Sequence, residues 1–376
     1  MVCLNNIYLD YAASSLKHFD IYKKMIDILE NEYANPSSPH KLGKKNAKLL
    51  EEARKKIATS INASSEKIIF TSGGTEANNM VFNHVAKEFS GGDIIISSVE
   101  HPSVREYAEK LKKNNFNIIK LKVNKNGLID IAELKEKISE KTVLISIMFA
   151  NNETGIIQPI KEIGKIAKEK NILFHSDIVQ AYCKTQIDVQ ELNLDFASVS
   201  AHKIGATNNF GFLYTKSQKI NPFIIGGGQE KGMRSGTSDI FGAMVLAKCI
   251  EETEKSISNI QILKNYFLKS LAEKNIDFEI NGDHNNSLPN ILNIYFKNIQ
   301  AQRLITYLDI NNIYISGGSA CSSGNIKGSK IIADMFDEKR AEHSVRISLG
   351  FDTKKEYVNT VVEKIKILEE KIISRG

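Results

Sequence analysis

The chain has 376 residues, of which 42% are hydrophobic and 25% are charged, with a formal net charge of +6. This length suits two domains or one large α/β domain, and the composition is that of an ordinary soluble globular protein. No stretch is apolar enough to span a bilayer, the start lacks a signal-peptide pattern, and the lysines are scattered, so we expect a cytoplasmic protein with no membrane and no direct nucleic-acid partner.

Short apolar segments alternate with segments of helical spacing from about residue 40 to 250. Apolar residues at 47, 50, 53, 57 and 61 predict the first long helix. The strands predicted after it are KIIFTS, GDIIISS, NIIKLKV, TVLISIMF, ILFHSD, FASVSA and FGFLYTK. Helical segments between apolar strands indicate a largely parallel sheet that is covered on both faces.

The C-terminal part has a different pattern. Two long helical runs are predicted over about 237–274, followed by a smaller α+β stretch that includes NILNIYF and SVRISLG as strands. We therefore place a domain boundary near residue 255. The prediction is a large domain at 15–255 and a small domain formed by 1–14 and 256–376.

One of the four cysteines has an unusual setting. Cys321 lies in SGGSACSSGN, a run of Gly and Ser between two apolar segments. Cys183 and Cys249 lie in apolar surroundings that are typical of small core residues, and no C-x-x-C pair indicates a zinc or dithiol site. A free loop thiol without a role is the simplest alternative for Cys321.

The segment KIIFTSGGTEANNMVF reads as a strand, a Gly-Gly turn and a helix. Backbone N–H groups and the helix dipole make such a turn suitable for a phosphate, with Gly74 and Thr75 as the candidate contacts. It matches neither the Walker loop nor the dinucleotide fingerprint. An ordinary capped turn explains this motif alone equally well.

Polar residues follow three more predicted strands. His101 comes after DIIIS, Asp177 ends ILFHSD, and Lys203 follows FASVSA. In an open α/β sheet the ends of the strands face the ligand crevice. A lysine for a Schiff base, an aspartate for a pyridine nitrogen, a stacking histidine and a phosphate turn together indicate pyridoxal phosphate (PLP). Each residue alone is better explained as a cap, loop or surface residue.

Ten segments, in order along nearly the whole chain, resemble the cysteine desulfurases of the NifS/IscS type. They are YLDYAAS, NPSSPHKLG, TSGGTEANN, EHPSV, NNETGIIQP, HSDIVQA, SAHK, GGGQEKGMRSGT, GSACSSG and VRISLG. The resemblance implies a PLP-dependent transferase of fold type I, with a large domain and a smaller α+β domain that carries the cysteine loop.

For the cofactor, the resemblance implies a role for each matching residue. Lys203 would form the Schiff base, and His101 would stack on the ring and move protons. Asp177 would bind the pyridine nitrogen and Gln180 the ring hydroxyl, while Asn152 would contact the cofactor or the substrate. The phosphate would be held by Gly74, Thr75, Ser200 and His202, together with Thr237 of the neighbouring subunit in a homodimer.

For the reaction, the resemblance implies L-cysteine as substrate. Arg346 would bind the substrate carboxylate, a task suited to its forked guanidinium, and Asn35 would help to orient the substrate. Cys321 would take up the sulfur as a persulfide, releasing L-alanine, and pass it to a sulfur acceptor such as an iron–sulfur scaffold or a thiolation enzyme. A Gly/Ser-rich loop would allow the thiol to approach and to leave.

The chain departs from the family pattern at several positions. Thr207-Asn208-Asn209 replaces a Pro-Lys-Gly step, and Cys183 stands where the family has glycine. Asn tolerates the left-handed conformation of Gly, so Asn209 is expected to keep the turn.

Two alternatives remain open from sequence. The first is a related PLP lyase or aminotransferase, such as a selenocysteine lyase, whose activity would survive the loss of Cys321. A non-catalytic partner protein that keeps the fold is the other alternative.

Overall fold

The computed structural model of the protein describes residues 6–31, 33–318 and 328–374. The strands in chain order are β1 (Ile7–Tyr8), β2 (Ile68–Thr71), β3 (Gly92–Ser97), β4 (Phe116–Leu121), β5 (Thr142–Ser146), β6 (Leu173–Asp177), β7 (Phe196–Ser200), β8 (Gly211–Thr215), β9 (Phe278–Ile280), β10 (Ile291–Phe296), β11 (Ile313–Tyr314) and β12 (Ser344–Ser348). The helices are α1 (Phe19–Asn31), α2 (Lys41–Thr59), α3 (Gly74–Glu88), α4 (Pro102–Leu111), α5 (Ile131–Lys137), α6 (Ile160–Glu169), α7 (Ile240–Glu273), α8 (Ala301–Ile310), α9 (Lys330–Met335), α10 (Glu338–Glu342) and α11 (Lys355–Ile373).

In the described part of the chain, seven strands form the main sheet in the order β2-β8-β7-β6-β5-β3-β4. Strand β8 runs antiparallel to both of its neighbours, and the other pairs are parallel. The predicted, largely parallel sheet is therefore confirmed. The site residues that follow β2, β3, β6 and β7 all leave the sheet at its carboxyl edge.

Helices cover both faces of this sheet, and β3 shows how the sequence achieves it. Ile94, Ile95 and Ile96 are each fully buried. Ile94 and Ile96 pack in a core with residues of α3 and α4, whereas Ile95 packs on the other face in a core with residues of α2 and α6. Side chains alternate along a strand, so a strand covered on both sides needs a continuous apolar run.

Helix α7 joins the large core to a second one. It is a single helix of 34 residues, so the predicted two runs are wrong. No glycine or proline interrupts 243–273, and the polar stretch EETEKSIS spans the gap between the cores. Ile250 packs in the large core and Ile260 in the second core, with residues of β10, β12 and α11.

The second core belongs to a smaller sheet with the order β12-β10-β9, which is antiparallel. The chain start joins this part, because β1 pairs with β11 and Asp10 bridges Ser348. The domain division at residue 255 falls inside α7 and stays a prediction. Among the residues described, the helices lack the combination of length and apolar character that crossing a bilayer requires.

Candidate active site

A cavity of about 350 Å³ opens at the carboxyl edge of the main sheet. Ten of the predicted site residues line it: Gly74, Thr75, His101, Asn152, Asp177, Gln180, Ser200, His202, Lys203 and Arg346. They come from the carboxyl ends of β2, β3, β5, β6 and β7, or from the loops that follow these strands, and from β12. The topology therefore brings together residues that are up to 272 positions apart in the sequence, from Gly74 to Arg346.

The turn between β2 and α3 requires glycine at two positions, for its backbone conformation at Gly73 and for lack of space at Gly74. Gly73 has φ of 149°, and a Cβ on Gly74 would lie 2.8 Å from the Cγ2 of Val179. Helix α3 begins at Gly74 and runs for 15 residues, so its positive end points at the turn. The turn has the backbone N–H groups and the dipole that an anion requires.

A hydrogen-bonded chain of side chains fixes Asp177 and His101. Asn78 Nδ2 donates to Asp177 Oδ2 and to Ser103 Oγ, each at 2.8 Å. The Val179 N–H donates to the other carboxylate oxygen of Asp177 at 3.0 Å. Both carboxylate oxygens are thus held in place, and the carboxylate still has lone pairs for a cationic group in the cavity.

The protonation of His101 follows from its partners. Its Nδ1 accepts from the Ser103 N–H at 3.2 Å and lies 2.7 Å from Ser103 Oγ. Since Nδ1 is an acceptor, the neutral ring carries its proton on Nε2. Burial lowers the pKa of His101, with Asp177 opposing and Lys203 and Arg105 adding to this effect. A neutral ring suits a group that exchanges one proton.

The Lys203 amine is held beside the chain start. Nζ donates to the carbonyls of Ala12 and Ala13 at 2.7 and 2.8 Å. Gln180 Nε2 shares the Ala12 carbonyl at 2.9 Å, while Gln180 Oε1 is buried and finds no hydrogen-bond partner in the described structure. An unsatisfied acceptor at a cavity wall calls for a hydroxyl or N–H group of a ligand.

His202 and Ser200 complete the wall around the turn. Burial and, to a smaller extent, the positive charges of Lys203, Lys17 and Lys184 lower the pKa of His202 to about 4. His202 is therefore neutral at physiological pH and can offer one ring N–H to an anion. Ser200 lies against the turn, with its Oγ 3.6 Å from a Cβ built on Gly73.

Glu100, next to His101, has no predicted role. Its Oε1 accepts from Ser97 Oγ at 2.6 Å and from the Met148 N–H at 2.8 Å, while Oε2 is buried and unpaired in the described structure. Burial, with a smaller contribution from the charge of Asp177, raises the pKa of Glu100 to about 8. A neutral Glu100 leaves Asp177 as the negative charge at this wall.

Arg346 on β12 reaches the cavity from the smaller sheet and is only 1% exposed. It donates from Nη2 to Asp10 Oδ1 at 2.7 Å and from Nη1 to the Asn152 carbonyl at 3.0 Å. Its Nε is buried and has no partner among the described residues. The guanidinium is therefore oriented from two sides while N–H groups remain for an anion.

Two of the predicted residues lie away from this cavity, and a third falls outside the part of the chain that the structure describes. Asn35 and Thr237 are exposed and lie outside the cavity. Cys321 falls in 319–327, outside the described residues. On either side of that segment, Ser316 pairs with the backbone of Arg346, and Ser329 Oγ donates to Glu153, next to Asn152.

The departures from the family pattern have local explanations. Asn209 lies in a turn, as expected, but does not adopt the left-handed conformation that was expected to form it. Lys17 instead donates to the Ala206 carbonyl and, at 2.7 Å, to Asn208 Oδ1, which places a positive charge at this turn. Cys183 adopts φ of 60°, so it keeps the backbone conformation that glycine favours.

Sequence reasoning missed the residues that act through others: Ala12, Ala13, Asn78, Glu100 and Ser103. Their contacts depend on the packing of distant segments. The buried helical position of Asn78 was a usable signal, since an asparagine on a helix face that packs against a sheet needs a partner.

The fold and the cavity together define the class: the chain belongs to the class-V aminotransferase family, whose model matches residues 7–361. Within this class the chain resembles cysteine desulfurases. It is 40% identical over 374 residues to "Cysteine desulfurase IscS" of Dictyoglomus turgidum, covering 97% of this chain and 95% of that protein.

Solved structures agree. A "NIFS-LIKE PROTEIN" superposes with a TM-score of 0.90 at 31% identity, covering 97% of this chain and 100% of the other. A structure described as "SspA in complex with cysteine" has a TM-score of 0.82 at 32% identity and covers 92% and 99%. The predicted relationship and fold type I are thereby confirmed.

Proposed function

We propose that the protein is a PLP-dependent cysteine desulfurase that converts L-cysteine to L-alanine. The observation that carries this proposal is the convergence of Lys203, Asp177, His101 and Gln180 on one cavity in a chain related to IscS. The structural relative named as a complex with cysteine supports the choice of substrate.

The residues at the cavity fit PLP. Lys203 offers an amine for covalent attachment, and the Asp177 carboxylate can hold a proton on a pyridine nitrogen. Gln180 Oε1, an acceptor without a partner in the described structure, matches a ring hydroxyl. The turn at Gly74 can bind the phosphate, and Thr75, Ser200 and His202 lie around this turn. When bound, PLP withdraws electrons from the Cα of an amino acid.

The side chains divide the remaining work. Arg346 is oriented by Asp10 and Asn152 and has N–H groups left for the carboxylate of the substrate. His101 has Nδ1 occupied by Ser103, which leaves Nε2 to exchange a proton with the substrate. The Lys203 amine, at the same cavity, would be a second group that can move a proton.

Cys321 is proposed as the sulfur acceptor within the protein. Its thiolate attacks the sulfur of the substrate cysteine, and the Cβ–S bond breaks. The electron pair of that bond stays on Cβ, which takes up a proton and becomes the methyl group of alanine. The cysteine thiol is oxidised to a persulfide and the substrate carbon is reduced, so no other oxidant is needed. The contacts of Ser316 with Arg346 and of Ser329 with Glu153 support this role, since these two residues flank 319–327.

The persulfide would then pass to a sulfur acceptor, an iron–sulfur scaffold or a thiolation enzyme. We further propose a cytoplasmic homodimer in which the exposed Thr237 reaches the cofactor phosphate of the partner. The name IscS of the relatives supports a role in iron–sulfur assembly.

Sulfide and alanine release from L-cysteine, with a reductant present, tests the function. The PLP-loaded protein should form both products in equal amounts, and Cys321→Ala should form neither. Cys249→Ala is the matched control, because Cys249 is buried in α7 and should be dispensable.

Other outcomes separate the alternatives. Equal activity of Cys321→Ala would contradict the persulfide step and favour a lyase. A folded, PLP-loaded protein that releases no product from cysteine, even with added acceptor proteins, would contradict the proposed substrate.

A further inference from the structure

A second, smaller cavity lies behind Lys203. It has a volume of about 20 Å³, and its mainly apolar lining includes the polar side chains of Tyr11, Ser15, His18, Lys184 and Asn290. Of the residues described, Lys203 alone lines both this cavity and the larger one. The proposed cofactor-binding lysine therefore lies between the two cavities.

Lys184 is a second buried lysine at this place, only 7% exposed. Its Nζ donates to the Gln180 carbonyl at 3.1 Å. The side chain of Gln180 in turn shares the Ala12 carbonyl with Lys203, at 2.9 and 2.7 Å. Gln180 thus connects the two lysines. Its main-chain carbonyl accepts from Lys184, and its side-chain amide donates to the same Ala12 carbonyl as Lys203.

The small cavity has room and partners for one water molecule. A volume of about 10–15 Å³ of this kind is enough for a water with polar neighbours. Asn290 is 2% exposed, and its Oδ1 is a buried acceptor with no partner among the described residues. A water there would donate to Asn290 Oδ1 and accept from Lys184, whose ammonium group has three donors.

Few charges face Lys184. Burial and, to a smaller extent, Lys203 lower its pKa to about 7, and Cys183 opposes this. Tyr11 and His18, near the chain start, line the same cavity. The charge of Lys184 lowers the pKa of His202, and the charge of Glu254 raises the pKa of Cys183. The two lysines therefore compete for charge, because two like charges in a buried site repel each other.

We propose that Lys184 is a positioning residue for Lys203: its charge, stabilised by a water shared with Asn290, controls the protonation of the Lys203 nitrogen. The proposal rests on the covalent role proposed for Lys203 above. A positive Lys184 favours the neutral form of Lys203, which is the form that binds an aldehyde or accepts a proton.

The test is a pH titration of the visible absorption of the PLP-loaded protein, without cysteine. Lys184→Met removes the charge and should raise the titration midpoint by about one pH unit. Lys184→Arg keeps the charge at every pH and should lower the midpoint. Asn290→Leu removes the acceptor of the water and should move the midpoint in the direction of Lys184→Met, by less.

Lys264→Met is the matched control. Lys264 is 1% exposed, its Nζ donates to Ser287 Oγ and the Leu288 carbonyl, and burial lowers its pKa to about 8. It does not line either cavity, so its loss should leave the midpoint unchanged.

Two results would overturn the proposal: no shift in Lys184→Met, or shifts of Lys184→Met and Lys184→Arg in the same direction, which would indicate a general disturbance. Borohydride reduction followed by peptide mapping separates this from the proposed function. PLP on Lys203 with no shift overturns the role of Lys184 alone, whereas PLP on another residue overturns both.

Discussion

Each of several side chains at the cavity is oriented by hydrogen bonds to its neighbours and keeps further hydrogen-bonding groups available for a ligand. Asp177 has both oxygens oriented by Asn78 and Val179, and Gln180 keeps an acceptor without a partner in the described structure. Arg346 is oriented by Asp10 yet retains N–H groups. The side chains are held before any ligand binds, which lowers the cost of ordering them during binding.

Asp177→Asn should lower alanine formation by about 100-fold, because a neutral amide does not stabilise a positive charge on a pyridine nitrogen. The measurement is product release at saturating PLP, together with the amount of bound cofactor.

Asp195→Asn is the control for this change. Asp195 directly precedes β7, and its carboxylate accepts from the Phe174 N–H of β6 at 2.9 Å. This contact lies at the end of β6 opposite to Asp177. Equal losses in the two variants would mean that the sheet, and not the site, is affected.

Cys183 offers a test of backbone conformation. At its φ of 60° a Cβ costs about 1 kcal/mol. Cys183→Gly should therefore be about 1 kcal/mol more stable than Cys183→Ala, measured as the free energy of unfolding in urea.

The same pair at Cys249, inside α7, should show the opposite order. In a helix interior alanine is about 1 kcal/mol better than glycine. If alanine is also the better residue at position 183, the left-handed conformation there is wrong.

At the scale of elements, polar side chains join neighbouring strands inside the main sheet. His175 on β6 is fully buried between Ser146 on β5 and Ser198 on β7, at 2.8 and 3.0 Å. Burial lowers the pKa of His175 to about 3, so the ring is neutral. The two hydrogen bonds of His175 connect β5, β6 and β7, whose carboxyl ends lie near the cavity.

This histidine should make stability depend on pH. Its folded pKa lies below the unfolded value of about 6.5, so its contribution is present above that value and is lost as pH falls toward 3. Between pH 7 and pH 5 the wild type should lose about 2 kcal/mol more free energy of unfolding than His175→Asn.

Urea unfolding at the two pH values measures this difference. His40→Asn, at an exposed N-cap, is the matched surface control. Parallel pH profiles of wild type and His175→Asn would contradict a buried neutral ring.

At the scale of the whole molecule, the cavity forms where two cores meet. The main sheet supplies Lys203, Asp177 and His101, and the smaller sheet supplies Arg346, which Asp10 holds from the chain start. Helix α7 packs in both cores. The proposed partner adds Thr237, which is exposed in the single chain.

Mixing two defective variants tests this last contribution. Thr237→Val should weaken PLP binding about 10-fold, as expected for a lost hydrogen bond to a charged group. Lys203→Ala should be inactive. After subunit exchange at limiting PLP, the mixture should regain activity, because one site of each mixed dimer has Lys203 from one chain and Thr237 from the other.

The control mixture pairs Thr237→Val with a chain that carries both changes, and it should stay weak. Recovery in both mixtures, or in neither, would contradict a Thr237 that serves the neighbouring site.

The sequence by itself determined the parallel sheet and most of the cavity. Continuous apolar runs such as that of β3 reflect burial on both faces, and chemistry-bearing residues at strand ends must meet at one edge of a parallel sheet. Ten site residues could therefore be predicted from local patterns and from the resemblance.

Only the tertiary structure determined which residues orient another side chain of the site or influence its charge. The link from Asn78 to Asp177, the neutral state of Glu100, the positive φ of Cys183 and the placement of Lys184 behind Lys203 depend on segments that are distant in the chain. Burial, not residue type, sets the charge of such groups, and burial arises only when those segments pack. The single helix α7 was missed because its polar middle looks like a break until two cores hold its ends.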